Sequence, residues 1–332
     1  MATAFQNWGE IFRTQNLPED RGMDGVSRWL LITRASVIPM TLFSGLIGGL
    51  LAAPVPHANW LYWFVAVVGL VAAHAANNMI NDYFDLETGV DSADYIRAQY
   101  APHPVLSGLI TKRGLLIAIA AVNLLDLGVL IFLTEARGWP AAAFALLGLF
   151  ISVFYVAPPI QLKHHGLGEP GVLLVWGPLM IGGTFFVTTG TLAPWVLVAS
   201  LPYALLVACV LLAKHVDKLE ADAAKGIHTL PVLLGRERSL FLTQELLVGF
   251  FVMLICLVLV GTFGVWTLVA LLALPHLFTT LRVFNRPRPD HPPEDFPIWP
   301  LWYVAWAFRV TRSAGGLLVL GLLLDAIWPL HL

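Results

Sequence analysis

Charge is scarce in this chain. Asp, Glu, Lys and Arg make up 12% of its 332 residues, about half the ~25% usual in soluble domains. With 58% of residues apolar or aromatic and a mean hydropathy of +0.77, a soluble globular protein is excluded, and so is a disordered one. Dyad alternation is also missing. The apolar residues come in long unbroken runs, which argues against a membrane β-barrel. The formal net charge is −2, so no electrostatic case exists for a nucleic-acid partner. Two cysteines, Cys209 and Cys256, each sit inside an apolar run and read as packing residues, not as a disulfide or metal pair. The first 27 residues mix both charges and lack an apolar core, so no signal peptide is expected.

What is present is an all-α membrane protein. A bilayer span needs about 20 mostly apolar residues. Nine transmembrane helices are predicted, at 28–52, 59–82, 113–134, 139–157, 171–190, 194–213, 239–261, 264–285 and 301–330. Pro158-Pro159, Gly190, Gly261, Gly264, Pro297 and Pro300 punctuate the runs, as helix breakers should. The expected organisation is an N-terminal interfacial segment over 1–27 and a single nine-helix domain over 28–332, arranged around a central cavity open to the inner face. In the leading segment Phe5, Trp8 and Phe12 recur at i, i+3 and i+7, the stripe of a helix lying in the interface. Basic residues orient the bundle. With the N-terminus inside, fifteen Lys and Arg border the inner face and Arg137 alone the outer one. The C-terminus is then outside, and the longer polar loops, where chemistry belongs, face the cytosol. The loop 286–300 carries six prolines and reads as a stiff connector.

Two acidic clusters fall on that inner face. The first ends the second span, where Asn78, Asp82 and Asp85 are spaced i, i+4, i+7 and share one helix face, with Asn81 beside them. Carboxylates and amides are hard oxygen donors suited to Mg²⁺. A solvated helix end is the bland alternative, and Asn78, which carries the polar stripe back into the span, argues against it. The second cluster follows the sixth span and holds Asp217, Glu220 and Asp222 among Lys214, Lys218 and Lys225. Two oxygen-rich clusters at one surface can bind two Mg²⁺ ions and a diphosphate between them. Nearby lysines, Lys163 included, can add charge-assisted contacts, although the positive-inside bias alone accounts for any one of them.

In these residues the chain resembles the UbiA superfamily of intramembrane prenyltransferases. Asn81-Asp82-x-x-Asp85-x-x-x-Gly89-x-Asp91 is similar to the family's first aspartate-rich motif, in the spaced form of the 1,4-dihydroxy-2-naphthoate branch. Tyr155 to Glu169, Trp176 to Met180 and Gly226-Ile227-His228-Thr229-Leu230-Pro231 resemble further stretches of that branch. The resemblance implies an enzyme that binds a polyprenyl diphosphate through Mg²⁺ and transfers the prenyl group to an aromatic acceptor in a dry cavity. Naphthoate, in menaquinone-type quinone synthesis, is the first choice of acceptor. By the resemblance, Asp82, Asp85 and Asp91 are metal ligands, assisted by Asn78 and Asn81. Asp222, with Asp217 or Glu220, serves the second side. Lys163 contacts the diphosphate, and Tyr155 lines the cavity. From their own positions in the chain, Arg34 (for which snorkelling to the interface is the alternative), Arg97 and Lys225 are read as further substrate contacts. The alternatives are another acceptor (4-hydroxybenzoate, homogentisate, a chlorophyllide or a glycerol-phosphate lipid), a cation-coupled transporter, or an inactive prenyl-lipid scaffold.

Two departures stand out. The family's second motif places two aspartates four apart; here Asp222 fills the second position and Lys218 the first. A one-residue helical bulge is the expected compensation, because Asp217 and Asp222 are about 140° apart on a regular helix; the alternatives are that Glu220 and Asp217 substitute by another geometry, or that the second metal site is weakened. His103 stands before Pro104 where the family often has an arginine, and Arg97 is the expected substitute. Within the spans, Asp126 is expected to pair with an arginine such as Arg312.

Overall fold

The computed structural model describes residues 3–330 apart from 19, 93, 295 and 297, so Pro297 of the proline-rich loop lies outside the described residues. The described residues are helical, with one isolated bridge between His165 and His228. In chain order the helices are α1 (Ala4–Thr14), α2 (Gly25–Ile32), α3 (Ile38–Ala52), α4 (Trp60–Glu87), α5 (Ile96–Tyr100), α6 (Lys112–Arg137), α7 (Trp139–Phe154), α8 (Gly168–Leu174), α9 (Met180–Thr189), α10 (Pro194–Asp217), α11 (Leu219–Ala224), α12 (Leu230–Leu234), α13 (Arg236–Leu259), α14 (Leu274–Phe284) and α15 (Tyr303–Ile327).

Among the described residues, eight helical segments are long and apolar enough to cross a membrane. The ninth expected span, α7, has 16 residues and reaches about 24 Å, short of the ~30 Å hydrocarbon core. Helix starts follow local chemistry. Asp24, Asn59 and Thr111 cap α2, α4 and α6 through their side-chain oxygens. Prolines occupy the first turns of α3, α7, α10, α12 and α14, where a missing N–H costs nothing.

The first predicted span is not one helix. The chain breaks after α2 at Thr33, turns through Arg34 in the left-handed region (φ 54°), and makes a 3₁₀ turn over Ala35–Val37 before α3 begins. Pro39 explains the break, because it cannot donate to the Ala35 carbonyl and would clash with it in a continuous helix. The fifth span is also interrupted, by a π turn over Val175–Leu179 that contains Pro178.

Helix α10 forms the spine of the bundle, buried along most of its length. The Tyr203 hydroxyl donates to the Met40 carbonyl of α3 (3.0 Å), and the Thr311 hydroxyl of α15 donates to the Leu206 carbonyl (3.1 Å). Small residues let helices approach closely. A side chain at Gly48 would meet the Ile181 carbonyl of α9 at 2.7 Å. Helix α6 faces outward, with Leu124, Leu125 and Ile131 exposed; this is the lipid-facing surface of an integral membrane protein. Helix α1 packs by Asn7, Ile11 and Thr14, with Ile11 against Leu31, Met79 and Leu115, and leaves Phe5 and Phe12 exposed on its other side.

Candidate active site

Helix α4 carries the first acidic cluster at its C-terminal end, with Asn78, Asn81 and Asp82 buried. Gly89, at φ 71°, reverses the chain just beyond the helix. The reversal brings the Asp91 N–H to the Asp85 carbonyl (2.8 Å) and returns the Asp91 side chain toward Asp82. Asp82 is fully buried and flanked by two guanidinium groups and an imidazole. It pairs with Arg34, the Arg97 Nε lies 3.3 Å from its Oδ1, and the His103 Nε2 lies 3.8 Å away. Asp85 accepts from the Lys163 ammonium at both oxygens (2.7 and 2.8 Å). Lys163 stands in a 3₁₀ turn, Leu162–His164, that follows Gln161 at φ 46°. Two non-glycine residues in the left-handed region thus aim the cations at the two aspartates, a usual place for backbone strain to be kept.

The ligand atoms of Asp82, Asp91 and His103 lie within 4.8 Å of one another. Chemically this is two carboxylates and a donor. The His103 Nδ1 accepts from the Val105 and Leu106 N–H groups (3.2 and 3.3 Å), so the neutral ring carries its proton on Nε2. That proton faces Asp91 Oδ2 at 3.4 Å, and His103 holds the carboxylate in place instead of ligating a metal. Burial would raise the Asp91 carboxyl, but the His103 hydrogen bond with the Arg97 and Lys218 cations outweighs it and holds Asp91 below the usual carboxylate range.

The second cluster is arranged differently from expectation. Helix α10 ends at Asp217, Lys218 caps it outside helical geometry, and α11 restarts at Leu219. This break does not bring Asp217 and Asp222 together, as a bulge would; it sends them apart. Asp217 is buried and accepts from the Tyr303 and Val304 N–H groups, each at 2.9 Å, so it caps the start of α15 and is not placed as a metal ligand. Glu220 is 70% exposed and paired with Arg236 at 2.5 Å, which also removes it from the metal set. Lys225, expected to contact substrate, is exposed and donates to the Gly89 carbonyl (2.9 Å). Its role in the structure is to tie the two loops together. Asp222 remains: it is buried, accepts from the Tyr95 hydroxyl, and lies 3.5 Å from the Lys218 ammonium. Burial opposes the charge on Lys218, and Asp222 with Tyr95 overcomes it, holding the ammonium above the usual lysine range.

The two clusters form one patch. Tyr95, from the loop after the first, reaches Asp222 of the second, and Val90, Tyr95 and Ile227 pack together beneath them. Asn81 Oδ1 and Asp222 Oδ2 are buried without hydrogen-bond partners, each costing about 1–3 kcal/mol. Unsatisfied hard oxygens beside carboxylates fit a small divalent cation such as Mg²⁺. Asn78 lines the cavity and donates to the Thr33 carbonyl (2.9 Å).

A cavity of about 1080 Å³ opens from this patch into the bundle, at the upper end of the ~300–1,000 Å³ typical of ligand sites. Arg34, Asn81, Arg97, Tyr155 and Lys214 line its polar end; Leu127, Leu130, Phe144, Leu149 and Trp176 line its apolar reach. His74 also faces it, bonded through Nδ1 to the Thr41 hydroxyl (2.7 Å). Arg13, Arg309 and Arg312 stand where it passes between α1 and α15, and Ile298 and Leu301 bring the end of the proline-rich connector to its wall. The expected pairing of Asp126 with Arg312 is not made. Arg312 donates to the Ser36 carbonyl (3.0 Å), and the buried Asp126 Oδ1 has no hydrogen-bond partner.

Three functional neighbours escaped the sequence reading: Tyr95, Tyr100 and the buried Glu169–His215 pair (2.7 Å), which stands behind the Tyr155 hydroxyl at 3.4 Å. None carries a spacing signal. Only Glu169, an acid near the start of an apolar run, was open to suspicion.

Comparison with known proteins agrees with this geometry. A sequence profile described as the UbiA prenyltransferase family matches residues 41–304. The chain is 24% identical over 271 residues to a Bacillus subtilis 1,4-dihydroxy-2-naphthoate octaprenyltransferase, covering 81% of this chain and 85% of that one. It is 29% identical to a Natronomonas pharaonis digeranylgeranylglyceryl phosphate synthase, covering 63% and 68%. In fold it is similar to a UbiA homolog from Archaeoglobus fulgidus bound to GPP and Mg²⁺, with a TM-score of 0.59 at 16% identity over 88% of this chain and 99% of that one.

Proposed function

The chain belongs to the UbiA prenyltransferase family, and on that premise we propose that it transfers a polyprenyl group from its diphosphate to an aromatic acid, with 1,4-dihydroxy-2-naphthoate as the acceptor in menaquinone-type quinone synthesis. The observation that carries this reading is one continuous cavity. It begins at Asn81, Arg34 and Arg97, the two arginines that hold Asp82, and continues between apolar walls deep enough for an isoprenoid chain.

The chemistry follows from the residues. In the absence of donor, Arg34, Arg97 and Lys163 rest on Asp82 and Asp85; an arriving diphosphate draws these cations to its own oxygens and frees the carboxylates. Asp82, Asp85 and Asp91, with the Asn81 amide oxygen, would hold a Mg²⁺ ion, which would supply charge neutralisation for the departing diphosphate. Asp222 is the acid of the second side. Cleavage of the allylic C–O bond leaves a carbocation that water would quench. Leu130, Leu149 and Phe144 exclude water, and the faces of Tyr155 and Trp176 favour the cation. The aromatic acceptor supplies the electron pair for the new C–C bond, and the attacked ring carbon then loses its proton, or its carboxylate as CO₂, to restore the aromatic ring. Its carboxylate has matching charge at Arg309 and Arg312, which line the same cavity. This supports an acidic acceptor over a neutral one.

In this reading residues 28–332 act as one domain and α1 lies in the interface. The N-terminus and the site face the cytosol across a bacterial inner membrane, and the C-terminus faces outward. The test is direct. Purified protein is incubated with Mg²⁺, a labelled polyprenyl diphosphate and a panel of 1,4-dihydroxy-2-naphthoate, 4-hydroxybenzoate, homogentisate and a glycerol-phosphate lipid, and the products are identified by mass. A prenylated naphthoate is expected. Transfer to the glycerol-phosphate lipid alone, or to nothing in the panel, overturns the assignment.

A further inference from the structure

Lys218 occupies a place where the acidic segment would otherwise offer a carboxylate. The break after α10 separates it from Asp217 and leaves it four residues before Asp222, with Nζ 3.5 Å from Asp222 Oδ1. Its ammonium also lies over the Tyr95 ring, 4.6 Å from the centroid. Both side chains are buried, Lys218 8% and Asp222 1% exposed. Tyr95 bonds the same Asp222 oxygen, while Asp222 Oδ2 is buried without a partner. The lysine is therefore clamped between a carboxylate and an aromatic face, at the point where the two acidic segments meet.

We propose that the Lys218 ammonium takes the place of a second divalent ion, so that this chain binds a prenyl diphosphate with one metal, on the side of Asp82, Asp85 and Asp91, and one fixed cation, on the side of Asp222. The inference rests on the prenyl-diphosphate reading above. Its physical basis is exclusion as much as attraction. A divalent ion on Asp222 would have to share that carboxylate with a buried ammonium, and like charges at such separation repel strongly where water is scarce. A diphosphate oxygen meets no such penalty, and the ammonium donates to it directly.

The experiment counts metal. The full-length protein in detergent is dialysed to equilibrium against labelled inorganic pyrophosphate and Mn²⁺, and bound Mn²⁺ per bound pyrophosphate is measured, with the electron paramagnetic resonance spectrum recorded in parallel. One Mn²⁺ per pyrophosphate and an uncoupled spectrum are expected. Lys218→Asp, which restores a carboxylate at that position, is expected to bind two and to show the coupled signal of a neighbouring pair. Lys218→Met is expected to keep one Mn²⁺ and to bind pyrophosphate about tenfold more weakly. Two Mn²⁺ per pyrophosphate in the unaltered protein overturns the inference and leaves the prenyl-diphosphate reading standing. No pyrophosphate bound at any Mn²⁺ concentration overturns both. The unaltered protein gives the decisive count even where a variant fails to fold.

Discussion

Asp217 separates a structural role from a catalytic one more cleanly than any other residue in the second acidic segment. Its two oxygens accept the first two N–H groups of α15, at 2.9 Å each, in a fully packed setting beside Tyr303 and Phe284. Replacing it with alanine leaves both N–H groups buried and unsatisfied. Each buried N–H left without an acceptor costs about 1–3 kcal/mol, so Asp217→Ala is expected to destabilise the protein by about 2–6 kcal/mol. At about 2 °C per kcal/mol for a chain of this size, the apparent Tm in detergent falls by ~4–12 °C, read from the fluorescence of the twelve tryptophans. Asp217→Asn keeps one acceptor oxygen and is expected to lose about half as much. In both variants the Mg²⁺ concentration for half-maximal activity, measured below the transition on the folded fraction, stays unchanged. Glu220→Ala is the matched control. Its exposed pair with Arg236 contributes at most about 0.5 kcal/mol, so neither Tm nor metal requirement moves. The reasoning is refuted if Asp217→Ala melts with the unaltered protein and instead raises the Mg²⁺ requirement tenfold or more.

Asp85→Ala is expected to cut Mg²⁺-dependent transfer by at least ~100-fold while the protein still inserts and folds, because Asp85 touches solvent and holds only Lys163; full activity in this variant removes it from the site. Lys163→Ala is expected to raise the KM for the prenyl donor about tenfold or more and to leave the acceptor KM in place; the reverse pattern would reassign the lysine to the acceptor. At the membrane-proximal end, the Asp24 cap has a predictable pH window. The Ser27 hydroxyl and N–H, with the Trp8 and Val26 donors, hold its carboxyl down from 3.8 to about 2. A depressed folded value means that the stabilisation is complete above about pH 3.8 and is lost as the pH falls through about 2. Amide exchange at Val26 and Ser27 should accelerate across that window and not above it, and unchanged protection down to pH 2 would contradict the capping role.

Parts of this protein were legible without coordinates because they depend on short-range chemistry. The apolar runs located the spans to within a turn or so, since a bilayer imposes one length and one composition on any helix that crosses it. Where the runs misled, a local rule had been outweighed. Residues 28–52 look continuous to hydropathy, yet Pro39 forces the turn that gives Arg34 its aim at Asp82. The spacing of Asp82, Asp85, Gly89 and Asp91 was informative because one helix end and one positive-φ glycine suffice to gather those side chains.

The second segment was a different problem. Nothing between Lys214 and Lys225 announces that Asp217 belongs to a helix start nearly ninety positions later, or that Tyr95 and Lys218 enclose Asp222. By itself the sequence determined the class of protein, most of the helical spans and the spacing of the first acidic cluster, because each follows from periodicity and composition over a few turns. Only the tertiary structure decided which acids are free to act. A carboxylate's role is set by whatever lies within about 3 Å of it, and in a folded bundle those neighbours come from distant parts of the chain.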